Sequence, residues 1–431
     1  MSPAPSVVGG SGLATRYAPS FALIASHFAV GIAGLCAFSV ALVLRASQLD
    51  GHFFQPTLLG LTHLCVLGWL LPIALGALHQ LVPVVFEVPV RSERVAWAAL
   101  ALYVVGATGL IGHLWAFRTS FGLPLSAGIL CAAIWLYAIH LLATLARAPS
   151  VTLTGVYVMA ALVYLLLAAA LGFALAWNLA APWLYTDHLR LLRAHAHAAG
   201  LGFFGLLVMG VAYRLLEMFL LSYGASMRAG WIALLAINLA LPSLIVSFVF
   251  GPSTPVSTLG AAASVVGVAA FLWQVRAIFR ARMRRKIDTA WRHTALAFTY
   301  FAVVVLLGPV LLAARLAPPW GERLALAYGI LALPATMGSV VVGQLYKILP
   351  FLVWFHRFSA YVGLKKVPSA SELLPEPPQR LQWAVMHLGL ALLVAGVIAA
   401  LPVVRLVGAV AFAASAALVA RNLWVIYERK P

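Results

Sequence analysis

Apolar runs long enough to cross a membrane follow one another along almost the whole chain, separated by short polar connections. A spanning helix needs about 20 such residues. Twelve stretches qualify: 20–44, 56–83, 95–117, 121–146, 151–178, 190–216, 229–250, 255–275, 294–314, 322–349, 382–403 and 405–424. The pattern predicts an all-α integral membrane protein with twelve transmembrane helices and both chain ends on one side. The first run has no small-residue cleavage site and is long enough to span, so it reads as an uncleaved segment. No linker sets off a soluble domain, and 1–431 reads as a single transmembrane domain. Its longest polar connection is the Pro-rich 356–382.

Within this pattern a motif recurs three times. "GALHQLVP" (76–83), "GVAYRLLE" (210–217) and "GQLYKILP" (343–350) share a glycine, a ring residue three positions on, a polar residue and an aliphatic pair. Their leading glycines, Gly76, Gly210 and Gly343, recur at a near-constant interval, and the motifs close the second, sixth and tenth spans. The chain therefore reads as three pseudo-repeats of four helices, approximately 20–146, 151–275 and 294–424. The ring residues His79, Tyr213 and Tyr346 sit near span ends, two of them beside a cation, and read as interfacial anchors.

Composition agrees with a lipid-facing surface: 64% of the 431 residues are hydrophobic and 9% charged. The net charge of +18 is distributed as a membrane topology rather than as a nucleic-acid footprint. With alternate connections assigned to opposite sides, 21 of the Lys and Arg residues fall on the side of the termini and seven on the other. The positive-inside rule then puts both termini in the cytoplasm of a bacterial-type inner membrane. Seven of the 21 lie in 276–293, a basic loop that fixes orientation, with acidic-lipid contact as the alternative. Three cysteines in apolar runs (Cys36, Cys65, Cys131) form no paired pattern.

Histidines are the remaining candidates for chemistry. Sixteen residues before His79 stands His63, and sixteen before Tyr213 stands His197; the third repeat has Ile330 there. With a helical rise of about 1.5 Å per residue, both histidines lie at similar depth in the outer half of the membrane. His195 is two residues from His197, about 200° around the same helix, so the two point to nearly opposite faces. Ionisable residues inside spans face the bundle interior as a rule, and imidazole is a good axial ligand for haem iron. Gly200, Gly202, Gly205 and Gly210 would let a flat macrocycle or a neighbouring helix approach closely. His27, His79, His140, His293, His356 and His387 fall on the cytoplasmic side, away from that pair. Arg190 and Arg193 lie just outside the histidines, suited to haem propionates or to interfacial anchoring. No carboxylate lies in mid-bilayer: Asp50, Glu87, Asp187, Glu217 and Glu322 sit at or beyond span ends, which argues against proton pumping.

The stretch "HAHAAGLGFFGLLVMGVAY" (195–213) resembles the haem-ligand helix of the catalytic subunit (subunit I) of haem–copper oxidases, nearest to the C-type group and the nitric oxide reductases. The resemblance extends to twelve spans in three pseudo-repeats. It implies haem b, with His63 and His197 as the axial pair and His195 as ligand of a second haem or an access-side group. The family's histidine pair stands on the tenth span rather than the sixth. Copper is a further candidate cofactor, although no copper-site ligand set of the family's kind is recognisable, and a full binuclear oxygen-reducing centre is not expected. What the resemblance implies is electron transfer or diatomic-gas chemistry at haem, as a haem-dependent oxidoreductase if an enzyme, with electrons from a separate cytochrome c-type or other redox subunit. Two alternatives stand beside it. One is a nitric oxide response protein similar to the NnrS family with an open haem site, and the other is a copper or haem transport or assembly factor. The lipid bilayer is the expected partner, and nucleic acid is not.

Overall fold

The computed structural model describes residues 17–184, 187–251, 254–285, 287–313 and 316–431. Among them twelve helices are long and apolar enough to cross a membrane. They are Phe21–Leu44, Pro56–Val85, Glu93–Trp115, Gly122–Leu145, Leu153–Ala180, His188–Leu220, Arg228–Phe250, Thr254–Arg280, Thr289–Ala313, Trp320–Arg357, Glu376–Ile398 and Pro402–Tyr427. They are numbered as spans 1–12 below. Each overlaps most of one predicted stretch, and no strand occurs among the described residues.

The ends differ where polar residues continue a helix that hydropathy alone would stop. The tenth span runs on to Arg357 and the eleventh begins at Glu376, with Pro377 and Pro378 in its first turn. Long cationic stems can cover apolar surface while their heads reach water, and proline fits a first turn because its missing N–H has no partner there. Phe21 and Tyr427 stack with ring centroids 6.3 Å apart, so the two ends of the bundle share a face, called proximal here; the opposite face is distal.

Each repeat packs alike. Its first span lies on its second, and its third and fourth form a tight antiparallel pair. Spans 2, 6 and 10 meet at the centre, and span 12 closes the ring against span 1. Small residues allow the closest approaches. A Cβ on Gly389 would stand 2.7 Å from the backbone nitrogen of Phe412, and one on Gly408 2.7 Å from that of Leu393. The closure is pinned at the distal face by Arg405, which is buried and donates from Nη1 to the Leu49 carbonyl at 2.6 Å beside Asp50.

The three central spans share a feature that hydropathy does not encode. Each contains a π-helical turn: Leu64–Leu70, Ala198–Gly205 and Leu331–Met337. Each turn begins twelve residues before the motif glycine of its span, so the turns recur at the interval of the sequence motif. A π turn widens the helix and weakens its internal bonding, which hydroxyls partly compensate. Tyr103 donates to the Leu67 carbonyl at 2.6 Å, and Thr336 to the Leu331 carbonyl at 2.7 Å.

The motif itself is an internal packing device. Gly76, Gly210 and Gly343 lie against the Cβ atoms of His27, Tyr157 and His293 on the first span of their repeats. The ring three residues later then meets that same residue. Centroids are 5.5 Å apart for His27–His79, 5.6 Å for Tyr157–Tyr213 and 6.2 Å for His293–Tyr346. The expected interfacial anchors His79, Tyr213 and Tyr346 are therefore buried, at 0%, 2% and 5% exposure. The glycine brings the neighbouring span close enough to cover them.

Candidate functional site

His63 ends the α-helical start of span 2, immediately before its π turn, and His197 occupies the matching place in span 6. Both lie in the distal half. His63 directs Nδ1 to the Leu59 carbonyl at 2.8 Å, and His197 directs Nδ1 to the Arg193 carbonyl at 2.8 Å. His195 reaches out of its own helix instead, to the Ala168 carbonyl on span 5 at 2.9 Å. Against a carbonyl, Nδ1 must be the protonated nitrogen. Each ring therefore presents Nε2 as its lone pair, the tautomer a metal ligand requires. No described residue bonds Nε2 of any of the three.

The two neighbouring histidines of span 6 serve different neighbours, as their opposed directions on the helix require. His195 faces span 5, where a Cβ on Gly172 would stand 3.0 Å from its Cε1. His197 packs on Phe248 of span 7 with centroids 4.8 Å apart. Of the other two histidines, His195 is the one near enough to His63 to feel its charge. His195 thus turns toward span 5, and His197 turns toward span 7. Of the glycines on span 6, Gly202 and Gly210 admit Tyr164 and Tyr157 of span 5. Gly200 has nothing within 4 Å of where a Cβ would sit.

The donor set suits a haem iron: two imidazoles locked in the ligating tautomer, in apolar surroundings, with cations beyond them. Arg190 is half-buried and approaches the turn at Gly251, and Arg193 is exposed. Neither forms an ion pair with a described residue. Among the described residues no group of three or more His, Cys, Asp or Glu side chains is placed to hold a metal ion. The nearby distal histidines are engaged locally. His113 bonds the Gly109 carbonyl at 2.8 Å, and His188 lies 3.2 Å from Asn178 and edge-on to Phe54.

Two further histidine clusters lie in the proximal half. In the first repeat, His27 Nε2 pairs with the Tyr137 hydroxyl at 2.5 Å, and the His79 ring stacks on His140 at 5.9 Å. In the third, a directional chain is complete. Tyr300 donates to His387 Nδ1 (3.1 Å), His387 Nε2 to His293 Nδ1 (3.3 Å), and His293 Nε2 to the Gln382 oxygen (3.0 Å). Gln382 donates onward to Ser415 at 2.9 Å. Sequence reasoning placed these histidines on the side of the chain ends but did not group them, because their partners lie 61 to 110 residues away. One available signal was the repeat spacing, since His79 aligns with the ring residues Tyr213 and Tyr346.

No protein-family model matches the chain, and no curated protein matches it in sequence.

Proposed function

We propose that this membrane protein binds haem b in the distal compartment between spans 2, 5 and 6, with His63 and His195 as axial ligands, and that it serves electron transfer. The observation that carries the reading is that each of these two rings is held through Nδ1 by a backbone carbonyl and presents Nε2 with no described partner. When bound, the haem supplies a one-electron couple. Held by two imidazoles, the iron would keep no open position for a gas, which favours electron transfer over oxygen activation. The Ala168 and Leu59 carbonyls orient the ligand rings, and Arg190 and Arg193 lie on the distal side, where propionates would need cations. Electrons come from a separate redox partner.

This assignment departs from the sequence-based pairing of His63 with His197. His197 supports a second reading: its Nε2 has no described partner and its ring turns toward span 7 instead. That geometry suits an open haem site for a diatomic gas. Absorption spectra of the dithionite-reduced protein test both. Sharp α and β bands are expected in wild type and in His197→Ala, and should vanish in His63→Ala and His195→Ala. Loss in His197→Ala with retention in His195→Ala would overturn the pairing. A carbon monoxide shift abolished by His197→Ala supports the open site. A protein from haem-replete cells without a Soret band refutes haem binding altogether.

A further inference from the structure

Between spans 2, 6 and 10, proximal to the three π turns, lies a cavity of about 430 Å³. Its walls are nearly all apolar, and the exceptions gather toward the proximal face. Gln80 is 8% exposed and its carboxamide oxygen has no hydrogen-bond partner among the described residues. Gln344 spends its Nε2 on the Thr294 hydroxyl at 3.3 Å, and its oxygen is likewise unpartnered. A carboxamide can rotate to offer a donor or an acceptor, so either residue can answer a ligand oxygen. Unpaired buried amides are costly, which makes this pair a place where a polar group is wanted.

Shape and charge narrow the occupant. Along span 6 the lining runs from Phe204 to Phe219, about 22 Å for a helix rising about 1.5 Å per residue. Spread over that length, the space is long and narrow, the shape of an extended hydrocarbon chain rather than of a flat macrocycle. The cation at the rim, Lys347, is already paired with Asp288 and flanked by Phe219 and Trp291. No unpaired charge among the described wall residues therefore calls for an ionic head, and burying one without a partner would be unfavourable. The proximal end is reached at Leu221 and Tyr223, both exposed.

We infer that this central cavity binds a single-chain neutral amphiphile. Its hydroxyl- or ester-bearing head meets Gln80 and Gln344, and its chain runs toward Phe204 and Met337. The site is independent of haem and stands or falls separately from it. Two sources share this chemistry, a monoacylglycerol and a long-chain alcohol.

Photo-crosslinking of the full chain in detergent tests the inference. The probes are a monoacylglycerol, a long-chain alcohol and a fatty acid, each carrying a diazirine in the chain, with the modified peptides mapped by mass spectrometry. Labelling by a neutral probe is expected on spans 2, 6 and 10, and the preferred neutral probe identifies the source. Gln80→Leu should lower it about fivefold, as loss of one buried hydrogen bond implies. Val341→Trp, which fills the cavity, should abolish it, and Ala212→Phe serves the same purpose should that variant fail to fold. Labelling confined to lipid-facing spans, labelling unchanged by cavity filling, or equal labelling by the fatty acid overturns the inference.

Discussion

Gly34 offers the sharpest test of how span 1 supports the site. A Cβ there would overlap the Gly68 carbonyl oxygen and stand 2.8 Å from the Gly68 Cα. Gly68 belongs to the π turn that follows His63. Ordinary contact is about 3.4 Å or more, and both colliding atoms are backbone, so no rotamer change relieves the overlap. Relieving the carbonyl overlap requires spans 1 and 2 to separate by more than an ångström. Overpacking of this kind costs about 3 kcal/mol at its upper end, offset by about 1 kcal/mol from replacing a helical glycine with alanine. Gly34→Ala should therefore destabilise by about 2 kcal/mol. Gly112 supplies the control: it is exposed in span 3 with nothing within 4 Å of a Cβ, so Gly112→Ala should be neutral or stabilising by up to about 1 kcal/mol. Unfolding in mixed micelles with rising SDS, followed by tryptophan fluorescence, measures both. Equal midpoints for the two variants would refute the argument that backbone contact at Gly68 limits the separation of spans 1 and 2.

Further variants probe other parts of the bundle. Tyr103→Phe leaves the Leu67 carbonyl without its hydroxyl donor and should cost about 1–3 kcal/mol in the same unfolding assay; a change below a few tenths would show that the π turn does not need it. His387→Phe strands both Tyr300 and His293 and should cost about 2–3 kcal/mol. The double variant with His293→Phe should cost clearly less than the sum of the singles, and strict additivity would deny that the chain acts as a unit. Asp50 is 63% exposed whereas Arg405 is 3% exposed in its side chain. Asp50→Asn should therefore change stability by less than about 1 kcal/mol, while Arg405→Ala, which leaves the Leu49 carbonyl unpaired and opens a void, should cost about 3 kcal/mol. The reverse ranking would mean that the ion pair rather than the buried stem closes the ring.

All twelve spans and their order were readable from hydropathy, because crossing hydrocarbon demands about 20 consecutive apolar residues whatever the neighbours are. The threefold spacing was readable too, since a glycine that must admit a neighbouring backbone recurs wherever the same packing recurs. The π turns were not: a short run of shifted hydrogen bonds leaves no periodic trace in a long apolar run. Nor could sequence separate an interfacial ring from a buried one at Tyr213, because burial depends on Tyr157, which lies on a different span.

The histidines divide along the same line. Residue spacing alone set the depth of His63 and His197 and the opposed directions of His195 and His197, both consequences of helix geometry. What each of the two meets was fixed only when span 5 brought the Ala168 carbonyl to His195 and span 7 brought Phe248 to His197. A helix dictates the angle between its own side chains, but the identity of what each side chain meets is a property of the packed bundle.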